Sequence, residues 1–463
     1  MSRLPYILPW MLSWALTLAG CARSVEPPKS PAARDAPDIR DVAQLKQDCR
    51  AYLDPATADK PLIGADALAR LNQEFRRQWL RPWDPQCAPP SAGDVEKPLA
   101  DFEAHPGYGE NFHPHTPAFT RRLHELAGMG TYPNRIAKAI TARNTNLRRL
   151  PTNWPRFDFI NQAGEGFPFD SLQESALWAG TPLLVCHATS DGQWLYVDSP
   201  CGHGWVQAQD IGTVDDEQVD LYRRSGLVAL TEDNVALVDA ATGAFLFSTH
   251  IGAVFPLDAE RSDDLEVLGP ARNIEGKAVF RRAVLGKTQA AVIPLSPTPA
   301  NIAATANQML GQPYGWGGMY EGRDCSATTR DLMTPLGIWL PRNSSAQARA
   351  YRSVSLEGLP GQEKQRVLIE KGVPFLTLVC LSGHVALYVG HDEQRAFVMH
   401  NFWGIRTRRG GVEGRKIVGR CVITTLQPGI ELPDLDLPAG DWRGRIESLV
   451  FVGIQKDQPP SSP

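Results

Sequence analysis

The C-terminal part of the chain is organised around the segment Pro313-Tyr314-Gly315-Trp316-Gly317-Gly318-Met319-Tyr320-Glu321-Gly322-Arg323-Asp324-Cys325-Ser326-Ala327-Thr328-Thr329. A glycine-rich approach ends in a charged pair and a cysteine, and apolar residues follow at helical spacing up to Ile338. This pattern predicts that Cys325 lies at a helix start, where unpaired N–H groups and the helix dipole favour a thiolate. Cys325 is therefore a candidate nucleophile; the alternative is a buried structural cysteine beside a glycine turn.

Two histidines on neighbouring predicted strands follow this cysteine. His384 opens one apolar strand within 382–390, and His400 lies on the returning strand 396–401. A cysteine, a histidine and a polar group that orients the histidine form the general arrangement for thiol acyl transfer. A hairpin centred on residue 392 would place the two histidines directly opposite each other, which requires an odd loop or a bulge.

At this point the residues resemble a known family. The matching motifs, in chain order, are Tyr314-x-Trp316-Gly317-Gly318, Asp324-Cys325-Ser326, Leu340-Pro341-Arg342-Asn343-Ser344-Ser345-x-Gln347, Gly383-His384-Val385 and Met399-His400. Together they are similar to the NlpC-type papain-like cysteine peptidases of bacterial cell walls. The sequence departs from the family at Ala327, where glycine is usual, and in the wider spacing of the histidines, which implies a longer hairpin.

The resemblance implies a hydrolase that works through a thioester and needs no cofactor. Cys325 would be the nucleophile, His384 would take its proton and hold the thiolate as an ion pair, and His400 would orient His384. The backbone N–H of Cys325 is a natural oxyanion donor, with the phenol of Tyr314 as a possible second one.

The resemblance also implies a substrate. In relatives with preceding SH3 domains, residues that match Asp324, Ser326 and Ser344 bind the free amine of an N-terminal L-alanine. The substrate would be a stem peptide of peptidoglycan, cut between D-glutamate and diaminopimelate. From the residues alone, Asp324 is equally a helix N-cap, and Arg342 is expected to form a structural ion pair.

The composition limits the classes of protein to which the chain can belong. The chain has 463 residues, 43% of them hydrophobic and 21% charged, with a net charge of −4. This is a multidomain globular composition, and its charge argues against binding to nucleic acid. There is no zinc-ligand spacing and no phosphate-binding glycine loop, and His113 and His115 are expected to be exposed loop residues rather than metal ligands.

The N-terminus predicts export. Residues 1–21 have a basic Arg3, an apolar stretch and the ending Leu18-Ala19-Gly20-Cys21, which resembles a bacterial lipobox. We expect Cys21 to be lipidated, which would anchor the protein in the periplasm. Because residue 22 is alanine, the outer membrane of a Gram-negative bacterium is the expected destination. Ordinary secretion is the alternative.

The segments after the signal peptide differ in composition. We expect a tether over 22–41, an irregular N-terminal region over 42–125 with a helix over 67–80 and loops beyond it, and a short tail over 458–463. In this N-terminal region Trp79-Leu80-x-Pro82-Trp83 resembles the stabilising domain of some NlpC-type proteins, which implies a stabilising role. A basic run between Arg121 and Arg149 is expected to be a solvated face, or else a contact with anionic cell-wall polymers.

Short strands separated by turn signals fill the middle of the chain. Strands near 181–188, 190–197 and 204–206 predict a small β-barrel that resembles a bacterial SH3 domain, over 126–214. A second such unit is expected over 215–295, with strands near 235–238, 244–247, 252–257 and 290–293. Residues 296–457 would form the catalytic domain, an α+β fold with the helix of the nucleophile packed on an antiparallel sheet.

Cysteine usage fits an oxidising compartment. Of the eight cysteines, Cys21 would be lipidated and Cys325 would stay free as the nucleophile. The remaining six allow fifteen disulfide pairings. Disulfides between the neighbouring pairs Cys49–Cys87, Cys186–Cys201 and Cys380–Cys421 are geometrically plausible.

Two other functions stay open on sequence alone. The chain could be a non-catalytic lipoprotein that binds the cell wall, although the intact Cys325, His384 and His400 argue against this. It could also be a thiol amidase or acyltransferase on another substrate. We expect a monomer, and the sequence leaves open whether intact murein or released peptides are the target.

Overall fold

The computed structural model describes residues 38–437 and 439–455. The predicted signal peptide, the lipidation site Cys21, the tether up to residue 37 and the tail lie outside the described residues. The tether ends earlier than predicted, because Ile39 is buried and the Asp41 carboxylate accepts hydrogen bonds from the N–H and the hydroxyl of Thr425. Within the described residues no helix is long and apolar enough to cross a membrane.

The N-terminal region contains four helices: α1 (Arg40–Gln44), α2 (Ala65–Trp79), α3 (Ala92–Ala104) and α4 (Pro117–Ala127). The predicted helix over 67–80 corresponds to α2. The loops predicted beyond it are wrong for α3 and α4. Helix α3 begins at a capping box between Ser91 and Asp94, and α4 begins after the N-cap Thr116, which a proline follows.

The next region is a seven-stranded antiparallel sheet, in agreement with the predicted first barrel. Its strands pair in the order β3-β2-β6-β5-β4-β1-β7. They are β1 (Ala137–Thr141), β2 (Thr145–Arg148), β3 (Gln173–Leu177), β4 (Pro182–Ala188), β5 (Trp194–Ser199), β6 (Gly202–Gln207) and β7 (Ile211–Thr213). Arg148 in the basic run is buried and pairs with Asp170 at 2.6 Å, so the solvated face predicted there is wrong at this position.

A second all-β unit follows helix α5 (Asp216–Arg224). Its larger sheet has the order β13-β12-β11-β8-β14, and β9 and β10 form a separate pair. The strands are β8 (Leu227–Leu230), β9 (Val235–Val238), β10 (Phe245–Thr249), β11 (Val254–Glu260), β12 (Asp264–Arg272), β13 (Ala278–Gly286) and β14 (Ala290–Val292). The predicted strands are present, whereas α5 and the long β12–β13 hairpin were not predicted.

The C-terminal domain has the predicted α+β fold. Its sheet is antiparallel, with the order β15-β20-β16-β17-β18-β19. The strands are β15 (Arg352–Ser355), β16 (Thr377–Leu381), β17 (His384–His391), β18 (Ala396–Arg409), β19 (Val412–Thr425) and β20 (Ile446–Phe451). The helices are α6 (Pro299–Met309), α7 (Cys325–Met333), α8 (Ser344–Gln347), α9 (Gly361–Lys371) and α10 (Trp442–Arg445). Helix α7 packs on the sheet through Leu332 and Met333, which share a core with Leu387 and Met399.

The N-terminal region braces the two β units. Phe75 and Trp79 of α2 and the nearby Trp83 are buried in one core with Ile140 of β1 and Tyr222 of α5. Large buried aromatic side chains contribute about 3–5 kcal/mol each to stability when compared with alanine. This core therefore holds both β units in place against the N-terminal region.

The seven cysteines among the described residues are all free. The predicted pair Cys380–Cys421 is wrong because the two residues lie on β16 and β19, which two other strands separate, or about 14 Å at the usual strand spacing. Cys49 instead contacts the sulfur of Met399 at 3.8 Å, and Cys87 lies 3.3 Å from Asp198. None of the three neighbouring pairs forms a disulfide.

Candidate active site

Cys325 is the first residue of α7, as the sequence predicts. Asp324 is the N-cap, and its carboxylate accepts a hydrogen bond from the N–H of Ala327 at 2.8 Å. The first N–H groups of a helix have no partner within the helix. The backbone N–H of Cys325 therefore lies at the correct end of α7 to stabilise an oxyanion.

His384 and His400 are in contact, but they are not directly opposite each other. The hairpin has the required bulge, between Tyr388 and Gly390, and beyond it Leu387 pairs with Met399. Continuing this register places Phe402 across from His384, so His400 is its diagonal neighbour on the same face. Nε2 of His384 lies 2.9 Å from Nδ1 of His400.

Thr424 fixes the direction of the proton in this pair. Its hydroxyl donates to the carbonyl of Thr425 at 2.7 Å, so its oxygen accepts from Nε2 of His400 at 3.0 Å. A neutral His400 then has its acceptor at Nδ1, and the Nε2–H of His384 donates to it. This leaves Nδ1 of His384 as the free base. Thr424 is a functional residue that the sequence analysis missed.

Aromatic rings hold the two imidazoles in place. Phe402 stacks on His400 with ring centroids 4.4 Å apart, and Trp442 of α10 lies 5.0 Å from His384. His400 is 1% exposed and lies behind His384, so it acts on the substrate only through His384.

Burial opposes the ion pair predicted for Cys325 and His384. Burial, and then the Asp324 carboxylate, raise the pKa of the Cys325 thiol to about 12. Burial, and then the charge of Arg445, lower the pKa of His384 to about 3, and burial also lowers the pKa of His400. Desolvation therefore opposes the thiolate–imidazolium pair predicted from the helix dipole, whereas the charge of Arg342 lowers the pKa of the thiol and favours the thiolate.

Asp324 is occupied within the protein. Arg342 forms a bidentate pair with it, at 2.7 Å and 3.1 Å, which confirms the ion pair predicted for Arg342. The same carboxylate accepts from the N–H of Gly317 and the hydroxyl of Ser326, both at 3.1 Å. With the bond from Ala327, these contacts use its acceptor positions, so a substrate amine would have to displace Arg342.

A cavity of about 470 Å³ brings most of the predicted residues together. It is lined by the predicted site residues Tyr314, Asp324, Cys325, Ser326, Ser344 and His384. The sequence analysis missed three charged residues in its lining, Glu174, Arg415 and Arg445. They come from β3, β19 and α10, and no local pattern in the sequence connects them.

The first β unit forms one wall of this cavity. The carbonyl of Gly317 accepts from Nε2 of Gln173 at 3.0 Å, and Nε1 of Trp316 donates to the carbonyl of Asp170 at 2.9 Å. Arg342 also donates to Ser175 Oγ at 2.8 Å. In the described residues no cluster of histidine, cysteine and acidic side chains could hold a metal ion, and Nε2 of His115 bonds to the carbonyl of Pro155.

Comparison with protein families matches four segments of the chain. Residues 10–132 match the N-terminal NLPC_P60 stabilising domain, 155–207 an SH3 domain of the SH3b1 type, 215–262 an SH3 domain of the SH3b2 type, and 311–402 the NlpC/P60 family. The matches follow the order of the structural units described above. A comparison with curated proteins finds no match.

Among solved structures, the chain is similar to an NlpC/P60 endopeptidase from Photobacterium damselae subsp. piscicida. The two share 24% identity over 91% of this chain and 99% of that one, with a TM-score of 0.81. An NlpC/P60 family protein from Bacillus cereus is 19% identical over 67% of this chain and 98% of that one, with a TM-score of 0.45.

Proposed function

We propose that the protein is a cysteine peptidase acting on peptidoglycan stem peptides, a proposal that the match of residues 311–402 to the NlpC/P60 family supports. The observation that carries the proposal is the hydrogen-bond relay from His384 through His400 to Thr424. It leaves Nδ1 of His384 as a base in the cavity that Cys325 also lines.

The proposed bond is the amide between the γ-carboxyl of D-glutamate and diaminopimelate. Nδ1 of His384 takes the proton of the Cys325 thiol as the sulfur attacks the carbonyl carbon, so the charged pair forms during the attack. The N–H of Cys325 and the phenol of Tyr314 stabilise the oxyanion. His384 then gives the proton to the leaving amine, and water hydrolyses the thioester.

We propose that the substrate carries a free N-terminal L-alanine, but with a different partner for its amine. Because Asp324 is held by Arg342, we propose that the amine binds the carboxylate of Glu174 instead. Glu174 lies on the cavity wall that the first β unit forms. Glu174 is exposed, and its ion pair with Arg149 is 3.5 Å long. Ser344 lines the same cavity and is a second partner, while Asp324 holds Arg342 and Ser326 in place.

The test uses protein without residues 1–21, its Cys325→Ala variant and its Glu174→Gln variant. Each is incubated with L-Ala-γ-D-Glu-diaminopimelate and with the same peptide acetylated at its amine. We expect diaminopimelate release from the free peptide only, none from Cys325→Ala, and a loss of about 10- to 100-fold in kcat/KM for Glu174→Gln, as for a lost charge-assisted hydrogen bond.

Each contrary outcome has a distinct meaning. Equal cleavage of the acetylated peptide would keep the peptidase and reject the amine requirement. No cleavage of either peptide would favour a cell-wall-binding protein or another amide substrate.

We further propose that the protein is a monomer anchored through Cys21 to the outer membrane and facing the periplasm. The support is the lipobox-like ending Leu18-Ala19-Gly20-Cys21. Mass spectrometry of the mature N-terminus, with Cys21→Ala as the control, tests the anchor. An unmodified Cys21 on the mature protein would reject it.

A further inference from the structure

The cavity carries two guanidinium groups that the proposed mechanism does not use. Arg415 already has a partner, since it pairs with Glu413 at 2.7 Å and donates to the carbonyl of Gly414. Arg445 donates to the carbonyl of Ala439 at 3.0 Å. Within the part of the chain that the structure describes, no carboxylate lies at ion-pair distance from Arg445.

Both like and opposite charges act on Arg445. Burial, and then repulsion from Arg406, lower its pKa; attraction to Glu447 opposes this shift, and repulsion from Arg415 adds to it. Arg406 pairs with Glu413 and Asp436, which also pair with Arg408, and Glu413 is the partner of Arg415 as well. These cations thus share two carboxylates, whereas Arg445 has none at ion-pair distance among the described residues. Arg445 is therefore the cation at this wall of the cavity whose charge would be best compensated by a bound anion.

The position of α10 tells which part of the substrate this anion belongs to. Trp442, at the start of α10, lies against the ring of His384, and Arg445 ends the same short helix. The leaving amine takes its proton from His384, so the residue that leaves lies on the His384 side of the cavity. Arg445 thus lies near this residue rather than near the residue that stays on Cys325.

We propose that Arg445 binds the carboxylate on the carbon next to the leaving nitrogen, so that the site selects peptides ending at the residue after the cut. The inference rests on the proposed peptidase function. A guanidinium matches a carboxylate with two parallel N–H donors, which fixes orientation as well as charge. Released tripeptides have this free carboxylate, whereas longer stem peptides have an amide there.

The test compares L-Ala-γ-D-Glu-L-Lys with its C-terminal amide. Lysine removes the distal carboxylate of diaminopimelate, so the two peptides differ only in the carboxylate next to the leaving nitrogen. We expect wild type to prefer the acid, and Arg445→Gln to lose about 10- to 100-fold in kcat/KM on the acid with little change on the amide. Arg445→Lys should keep part of the preference.

Arg443→Gln is the matched control. Arg443 lies on the same helix, but its guanidinium binds Asp441 at 2.8 Å. We expect the Arg443→Gln variant to prefer the acid over the amide to the same extent as wild type. Equal loss of activity on acid and amide in Arg445→Gln, with a shifted acid limb of the pH profile, would overturn the proposal and mean that Arg445 acts only through His384.

Failure of the peptidase assignment is separable from failure of this inference. If wild type cleaves neither lysine peptide, both are titrated calorimetrically into Cys325→Ala and Cys325→Ala/Arg445→Gln, and cleavage of L-Ala-γ-D-Glu-diaminopimelate decides the peptidase assignment separately. Tighter binding of the acid that depends on Arg445 would support the carboxylate site whether or not the peptidase assignment holds. Equal binding of acid and amide, or no binding, would overturn the site.

Discussion

Arg323 and Asp324 are neighbours in the chain, yet each connects to a different SH3 domain. Asp324 faces the first domain, because its partner Arg342 donates to Ser175 at 2.8 Å. Arg323 faces the second, and its guanidinium binds both oxygens of Asp233 at 2.8 Å and one oxygen of Asp331 at 2.8 Å. The peptide before the nucleophile is thus held from both sides.

The two connections differ in chemistry. The first domain meets the catalytic loop mainly through neutral hydrogen bonds at the border of the cavity, as between Gln173 and Gly317. The second meets it through buried charges, with Arg323 only 2% exposed and Asp233 5%. The first domain therefore shapes the cleft for substrate, whereas the second anchors the loop that leads into α7 and Cys325.

The largest expected effect is on the anchoring side. Asp233→Asn leaves the Arg323 charge buried with Asp331 alone, and we expect a loss of about 3 kcal/mol in the free energy of unfolding, as for breaking a buried ion pair. Denaturant unfolding measures this loss. Asp263→Asn, an exposed position of the same domain, should change little. Equal stability of the two variants would contradict the anchor.

A smaller effect is expected on the cleft side. Ser175→Ala removes one hydrogen bond to Arg342, and we expect kcat/KM to fall about three- to tenfold, as for one hydrogen bond to a charged group. The unfolding midpoint should change little. Ser171→Ala removes a comparable bond to Arg156 outside the cavity, and it should leave kcat/KM unchanged. A large loss of stability in Ser175→Ala would contradict the claim that the first domain shapes the cleft while the second stabilises the fold.

The smallest expected effect is a pH dependence on the anchoring side. Burial opposes protonation of His250, but hydrogen bonds to Asp233 and Glu321 outweigh it and raise its pKa above 6.5. The resulting stability is fully present below about pH 6.5 and is lost as the pH rises through the raised pKa.

Unfolding of His250→Gln and wild type at about pH 6 and about pH 8 tests this dependence. We expect wild type to be more stable at the lower pH than at the higher one, and we expect this difference to disappear in the variant. His113→Gln, at an exposed position, should keep it. A dependence that persists in His250→Gln would assign it to another group.

What could be predicted from the sequence was mainly local. The helix start at Cys325 follows from an N-cap followed by apolar residues, and the contact between His384 and His400 follows from strand periodicity. The parts that failed or were missed depend on contacts between distant elements. Thr424, Glu174 and Arg445 reach the site from three different elements, and the charge of Cys325 depends on burial that no local pattern reveals.

The contacts of Arg323 also could not be predicted from the local sequence. Arg323 could be recognised as part of a charged pair with Asp324, but its partners Asp233 and Asp331 are fixed by the packing of two domains. Helices α3 and α4 are a different case, because their caps at Ser91 and Thr116 were readable signals in a stretch rich in proline and histidine.

Mass spectrometry of wild-type protein quenched in acid during turnover of L-Ala-γ-D-Glu-diaminopimelate tests both the nucleophile and the bond that is cut. We expect a thioester on the peptide containing Cys325, with the added mass of L-Ala-γ-D-Glu and with free diaminopimelate in solution. Turnover without an adduct on Cys325, or an adduct that contains diaminopimelate, would contradict the nucleophile or the bond assigned to it.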